Sequence, residues 1–432
     1  MSIGIRWNRR SFLGGLGAAV GSLLSGGKLF PRGSAGSDPK AAEKWPDLER
    51  VTGFGSTGSV YEELGVTPLI NGVGTLTMVG GSLIPPEVET VMGYAARHFV
   101  SIPELEVAAG KRIAEMLKLP SGYTGLVTSG AAGAITCGYA GVLTGDNAEF
   151  IRQLPDLAGM KSEVIIQNSH RYPFDHQIRA TGVKLVEIET REDLRKAISP
   201  RTAMMHFTNY LNAEGQIKVD EWVKLARQYQ VPCFNDAAAD TPPISRLWEY
   251  VNMGYDLVAF SGGKDIRGPQ CAGLLLGRED LIHYALLNNS PYEDTIGRGQ
   301  KIGKEEIVGM VKALELFLAS DQEAMLQQYW RQLDEVASVV NRIPGVSTAY
   351  HYDPNQIANH TVGMDIFWDP RRVSLTPQEA AAELLKGKPA IMLGAGRRGD
   401  GLSLVPWQLK PGEEKIIASR LAEVLRAHQV AS

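Results

Sequence analysis

Cysteine is scarce in this chain of 432 residues: Cys137, Cys233 and Cys271 are too few, and odd in number, for a disulfide framework. No stretch reaches the roughly 18 consecutive apolar residues of a membrane-spanning helix, so stable membrane insertion is not expected. Positive charge has no surplus. The 44 Lys and Arg stand against 48 Asp and Glu, and the net charge of −4 leaves no electrostatic footprint for nucleic acid. The eight histidines are scattered, with no H-E-x-x-H and no paired C-x-x-C, so no metal site is indicated. What is present is an ordinary globular composition, 44% hydrophobic and 21% charged, which excludes a disordered chain or a coiled-coil rod. The length corresponds to about three folding units.

The N-terminus reads Asn8-Arg9-Arg10-Ser11-Phe12-Leu13 and continues as a weakly apolar, glycine-broken run to Leu24. Paired arginines ahead of Phe-Leu and a short Gly/Ala-rich segment resemble a twin-arginine export signal over residues 1–35. The resemblance implies a twin-arginine translocase as partner and a periplasmic or otherwise exported location. A frayed basic tail is the plainer alternative. Arg6, Arg9, Arg10, Lys28 and Arg32 lie in this segment without an acid, so its loss would take the charge from −4 to −9. That route resembles one taken by proteins that fold, and often load a cofactor, before crossing. Residues 36–62, rich in Gly, Ser, Pro and charge, read as a linker.

From about Leu64 the body begins, with Thr67–Thr75 as an extended stub entering a Gly-broken loop. Pro85-Pro86 opens a helix with Val88, Val91, Met92 and Ala95 on one side, and a second helix runs from about Glu104 to Leu117. Short apolar runs then alternate with amphipathic segments. The runs are Gly125–Thr128, Val164–Gln167, Lys184–Ile188, Ala203–Phe207, Val231–Asn235, Leu257–Ser261 and Gly273–Leu276. Between them lie helical stretches such as Gly130–Leu143, Glu192–Ala197 and Val219–Tyr229, with Thr190 and Asp193 as a helix cap. Seven strands alternating with helices predict an α/β domain with a mostly parallel sheet, buried on both faces. Long helices near Lys304–Ala319 and Gln322–Arg342 follow. The order strand, strand, helix, strand, strand, helix from Val346 to Ala427 predicts a smaller α+β C-terminal domain. The division is therefore 63–320 for the N-terminal segment with the large domain and 321–432 for the small one.

The richest stretch is Phe260-Ser261-Gly262-Gly263-Lys264-Asp265-Ile266-Arg267-Gly268-Pro269-Gln270. A buried strand ends in Ser-Gly-Gly-Lys, and a Gly-Pro turn prevents an immediate helix. Such a lysine, held at a sheet rim between glycines that admit a ligand, suits Schiff-base chemistry. Ser261 can turn its hydroxyl toward a phosphate of the same ligand. Upstream, the strand before Asp236 ends in Asn235-Asp236-Ala237-Ala238, an acid placed to face a pyridinium nitrogen. Thr128-Ser129-Gly130-Ala131 joins a strand to a helix and exposes backbone N–H groups to an anion. Alone, the lysine turn is equally a surface loop, the acid a turn residue and the helix start a packing device. Their order gives them a common meaning: phosphate turn, acid and lysine each stand at a strand end of one sheet, where open α/β sheets bind ligands.

Together these segments resemble the pyridoxal-phosphate enzymes of fold type I. The lysine stretch, with Gly277-Arg278, Ile296-Gly297-Arg298, Lys301–Ile307, Ile70–Thr75 and Asn168-Ser169-His170-Arg171 with Asp175, resembles the bacterial selenocysteine synthase family, nearest its D-glucosaminate-6-phosphate ammonia-lyase-like branch. The similarity spans about residues 62–430. It implies pyridoxal 5′-phosphate as cofactor, Lys264 as the lysine that binds it and the general base, and Asp236 as the pyridinium partner. Ser129, Gly130, Ala131 and Ser261 would form the phosphate shell. His170 would stack on the ring, or else be a satisfied structural histidine. Arg298, Arg397, Asn71 and Thr75 would bind substrate; for Arg298 a helix-entry ion pair competes, and for Arg397 and its neighbour Arg398 a solvated loop. The resemblance also implies a homodimer or larger assembly.

Selenium transfer needs tRNA, which the acidic chain and the short 36–62 segment do not suit, so the chemistry carries over more readily than the substrate. The expectation is an α,β-eliminating lyase, of ammonia-lyase type, acting on an amino acid or amino sugar acid. The alternatives are a transferase (β-replacement or transamination) and, in another class, a non-catalytic binding protein that keeps the fold. A serine acyl enzyme using Ser261-x-x-Lys264 is opposed by Gly262, Gly263 and Pro269, which do not allow the required helix.

Overall fold

The structure, a computed structural model, describes residues 60–397 and 399–430. The twin-arginine segment, residues 36–59 of the linker and Arg398 lie outside the described residues. Val60–Glu63 forms a single helical turn. From Thr67 onward the chain forms a separate unit built on two sheets.

The first strand, β1 (Leu69–Gly72), belongs to the smaller sheet. The seven apolar runs form the larger one: β2 (Tyr123–Ser129), β3 (Glu163–Gln167), β4 (Lys184–Ile188), β5 (Thr202–Thr208), β6 (Cys233–Asp236), β7 (Leu257–Ser261) and β8 (Ala272–Arg278). Their order is β2-β8-β7-β6-β5-β3-β4, with β8 antiparallel to both neighbours and every other pair parallel. This is the mostly parallel α/β sheet that the sequence predicts. Strands β3, β5 and β6 are buried along their whole length, which is why they read as continuous apolar runs. Successive residues serve opposite faces: Val127, Met205, Val258 and Phe260 enter one core, while Leu126, Met204, Leu257 and Ala259 enter the other. β6 starts two residues later than expected, because Pro232 has no N–H for the ladder and the Val231 N–H closes the preceding helix on Ala226 O (3.0 Å).

The helix Gly130–Thr144 lies against the sheet and is apolar on nearly every side, so its pattern shows no stripe. Thr190 and Asp193 form the expected reciprocal cap on Arg191–Ala197. Helices Arg246–Met253 and Glu279–Leu287 complete the layers.

The smaller sheet adds β9 (Val346–His351), β10 (Gly363–Trp368), β11 (Ala390–Ala395) and β12 (Gly401–Leu404), in the order β1-β11-β12-β10-β9. Helices Gln322–Val340 and Glu413–Ala427 supply Leu333, Val336, Ile417 and Leu421 to its core. β1 pairs in parallel with β11, Leu69 against Ala390 and Gly72 against Leu393. The sequence groups residues 63–320 together; this long-range pairing attaches their first strand to the smaller sheet.

Candidate active site

Strand register gathers the candidate residues at one edge of the large sheet. Ser129 closes β2 opposite Ala272, and Ser261 closes β7 opposite Gly273, so the two serines flank β8 at nearly the same level. They stand two strand spacings apart, about 10 Å. Asp236 closes β6 opposite Ala259 and beside Thr208 of β5. The helix Gly130–Thr144 starts at this edge, where Gly130 takes a left-handed φ of 65° that the β-to-α turn requires. Its first turn rests directly on β8: a Cβ on Gly273 would lie 2.4 Å from Gly130 C and 2.7 Å from Ala131 N. Ser129, Gly130 and Ala131 keep partial exposure, leaving the helix N-terminus open to an anion.

The lysine turn is held by its own backbone. Gly268 N donates to Gly262 O (2.8 Å), Arg267 N to Lys264 O (3.0 Å) and Ser261 N to Ala238 O (3.2 Å). The last of these bonds ties the lysine strand to the segment after Asp236. Gly263 has no room for a side chain, since a Cβ would meet Gln270 Cα at 2.6 Å.

Asp236 is buried, and burial raises its pKa. The Tyr172 hydroxyl, which donates to Oδ2, the Ala238 N–H on Oδ1 (3.1 Å) and the charge of Lys264 oppose that rise. Burial lowers the pKa of Lys264 against the pull of Asp236 and then Asp240. A desolvated amine beside two acids is easier to deprotonate than a surface lysine, as a nucleophile or base requires.

Behind Asp236 runs a buried chain of polar groups. Tyr139 Oη lies 2.8 Å from His206 Nδ1, and His206 Nε2 lies 3.5 Å from Tyr172 Oη. Burial pushes His206 down to about 3 and holds both phenols protonated, so every proton can point along the chain toward Asp236. The sequence reading missed Tyr172, although it singled out the turn that presents it. Asp175 fixes that turn through Arg171 Nε (2.6 Å) and Arg179 Nε (3.0 Å). It also missed Asp240, which takes hydrogen bonds from Asn209 and from Tyr250 (2.8 Å) and is pushed by burial to about 7. An apolar-pattern reading has no signal for either; only packing reveals them.

The remaining candidates are spread out. His170 is fully enclosed, edge-on to Phe207 at 4.5 Å, and its Nδ1 accepts from Thr208 N (3.3 Å). Burial lowers its pKa to about 4, and Tyr172, not His170, is the aromatic residue that reaches Asp236. Asn71 closes a local turn through Gly74 O (2.8 Å) and Val73 N (3.0 Å), and Thr75 is buried nearby in sequence. Arg298 is exposed, its guanidinium on Pro291 O (3.2 Å) of its own loop, and Arg397 is exposed in the β11–β12 loop. Neither is brought to Lys264 within this chain by any contact described. Among the described residues no group of three or more His, Cys, Asp or Glu is arranged to hold a metal ion, and no helix is long and apolar enough to cross a membrane.

The buried acid, the desolvated lysine and the open helix N-terminus suit a phosphorylated pyridine aldehyde. Comparisons with known proteins agree. Residues 108–398 match the family model described as Aminotransferase class-V. A D-glucosaminate-6-phosphate ammonia lyase of Salmonella typhimurium is 28% identical over 85% of this chain and 98% of its own, and a solved structure of an enzyme of that name superposes with a TM-score of 0.75, 27% identity and coverage of 86% of this chain and all of the other. A 5′-C-glycyluridine monooxygenase-decarboxylase of a Streptomyces species is 28% identical over 89% of this chain and 96% of its own. An L-seryl-tRNA(Sec) selenium transferase of Alkaliphilus oremlandii is 24% identical over 62% of this chain and 59% of its own.

Proposed function

Because the chain belongs to the aminotransferase class-V family and is a pyridoxal-phosphate-dependent enzyme, we propose that it is a lyase that eliminates a β-substituent and ammonia from an amino acid or amino sugar acid. The observation that carries this reading is the pairing of Lys264 with a buried Asp236 at the sheet edge where the helix N-terminus opens.

Lys264 would bind the cofactor aldehyde, Asp236 its ring nitrogen, and Ser129, Gly130, Ala131 and Ser261 its phosphate. The bound cofactor supplies an electron sink for the carbon that loses its proton. The chain does the rest. Lys264 in its neutral form takes the α-proton, and its depressed pKa makes that form more accessible than in a surface lysine. Asp236, whose ionised form Tyr172, Ala238 N and Lys264 support against burial, would supply a negative charge in a water-poor site. The same Lys264 ammonium can return its proton to the leaving group. Arg298, Arg397, Asn71 and Thr75 are the proposed substrate contacts. Association into a homo-oligomer and twin-arginine export to the periplasm are further parts of this reading.

The test is a panel of amino acids and amino sugar acids incubated with holoenzyme, reading ammonia and keto acid, with Lys264→Ala beside it. Turnover confined to the wild type supports the lyase. Activity surviving in Lys264→Ala overturns the assignment, and oxygen consumption with CO2 release in place of ammonia would favour chemistry like that named for the Streptomyces relative. Export is checked by replacing Arg9 and Arg10 with Lys: the protein should stay in the cytosol, and an undiminished periplasmic yield refutes the signal.

A further inference from the structure

A cavity of about 190 Å³ adjoins the lysine turn at Asp265, between the Pro242-Pro243 segment, the start of helix Gln322–Val340 and the β9–β10 loop. Asp265, Tyr329, Tyr352, His360, Trp407 and Met325 are among its walls. It is distinct from the cofactor edge, although Asp265 follows Lys264 directly. The Lys264 amine responds to Asp236 and Asp240; the Asp265 carboxyl responds to Trp407 and Arg267. Lys264 and Asp265 follow one another in a turn, and their side chains answer to different neighbours.

The polar groups in this cavity have a common defect. Asp265 is 2% exposed; the Trp407 side chain is the one donor that acts on its carboxylate, whose oxygens otherwise lack a partner. Gln322 Oε1 and His360 Nε2, also on the wall, are buried without partners. His360 is kept neutral by burial and by nearby Arg246, so its free nitrogen adds an acceptor where its other nitrogen serves Asp353 backbone. The unpaired atoms are thus acceptors, and a buried acceptor without a donor costs about 1–3 kcal/mol, more if charged. Charge points the same way: Asp265 and Glu323 line the cavity, and no Lys or Arg does. Tyr329, Tyr352 and Trp407 supply the aromatic faces that attract alkylated cations. Tyr352 is in turn stacked on His360, with ring centres 5.2 Å apart, and the β9–β10 loop is fixed by Asn359 N donating to Ala239 O (2.7 Å). The site is therefore built in advance. Burial lifts Asp265 to about 7 against the opposing effects of Trp407 and of the Arg267 charge.

We propose that this cavity binds a small organic ammonium ion, whose N–H is donated to Asp265 and whose alkyl groups lie against Tyr329, Tyr352 and Trp407. The volume exceeds the roughly 30 Å³ of a single water several-fold and admits a compact amine. The proposal does not depend on the lyase reading, since no group of the cofactor edge takes part.

The probe is trimethylammonium, which carries one N–H and, as a tertiary amine, does not form an imine with an aldehyde. Binding to holoenzyme is followed by ligand-observed NMR, with tert-butanol as the neutral probe of similar size. The expected result is saturable binding of trimethylammonium, at least tenfold weaker binding of tert-butanol, and at least a tenfold loss in Asp265→Asn. Tyr352→Ala, at the exposed rim, should weaken binding several-fold and serves if Asp265→Asn does not fold. Equal binding of tert-butanol, undiminished binding by folded Asp265→Asn or by Tyr352→Ala, or no saturation in the wild type overturns the proposal.

Discussion

At the scale of single residues, the site is a set of opposed electrostatic effects centred on Asp236. Burial favours its neutral form, and the Tyr172 hydroxyl is the foremost group opposing burial. Hydrogen bonds to charged acceptors contribute about 1.5–3 kcal/mol. Tyr172→Phe removes that donor without emptying its space, so the pKa of Asp236 should rise. In the proposed reaction the acid limb of the pH–rate profile then moves to higher pH, while the plateau rate changes little. An unmoved limb would mean that Tyr172 does not support the carboxylate. Asp236→Asn removes the charge altogether and should reduce kcat by about two orders of magnitude, the range found when one preorganised electrostatic partner is lost. Lys264 and Asp236 were legible in the sequence because one follows and the other closes an apolar run, and a strand end is visible as a change of composition. Tyr172 was not, because its partner is 64 residues away and nothing local marks the contact.

At the scale of elements, the anion site depends on how closely a helix can approach a strand. β8 runs antiparallel between β2 and β7, and Gly273 is where the helix Gly130–Thr144 touches it. Gly273→Ala sets a methyl group against backbone atoms that cannot turn aside, so the first helical turn must lift from β8. Cofactor titration of the apoprotein should show at least about tenfold weaker retention, since the helix N-terminus proposed to meet the phosphate is displaced. Unchanged retention would place the phosphate elsewhere. Thr190→Ala is the contrasting case: its cap serves a surface helix three strands across the sheet from Asp236, so denaturant unfolding should show a loss of about 1 kcal/mol with activity unaltered. Elements with strong local patterns, such as the Val219–Tyr229 helix and β4, matched the sequence reading to the residue. β1 shows what such a reading leaves out. Its four residues look like any extended stub, and only the pairing with β11, more than 300 residues on, gives them their place.

At the scale of the whole molecule, two features remain for the unit from Thr67 onward. Leu76, Met78, Leu83, Tyr94, Phe99, Val100 and Val107 are large apolar side chains left exposed within one short span of sequence, as an association surface would have them. If the proposed homo-oligomer uses them, Phe99→Glu should lower the mass seen by sedimentation, and an unchanged mass would exclude this surface. The second feature is a buried acid with no part in the site. Glu106 lies beneath β2, its Oε2 accepting only from Val127 N (3.3 Å) and its Oε1 unpartnered. Burial pushes it up to about 8 from an ordinary 4.5, the value the unfolded chain retains. Between those two values the unfolded state has given up a proton that the folded state keeps, so stability falls as pH rises through the window, by up to about 1.4 kcal/mol per unit, and levels off above it. Glu106→Gln titrates in neither state and can still accept from Val127. Its stability relative to the wild type should therefore grow from about pH 5 to pH 8 and hold constant beyond, with Asp240 and Asp265 cancelling because both proteins carry them. Denaturant unfolding of the two proteins across that range gives the difference directly. A gap that does not change with pH would mean that Glu106 is hydrated in the folded protein and that the packing around it opens to water.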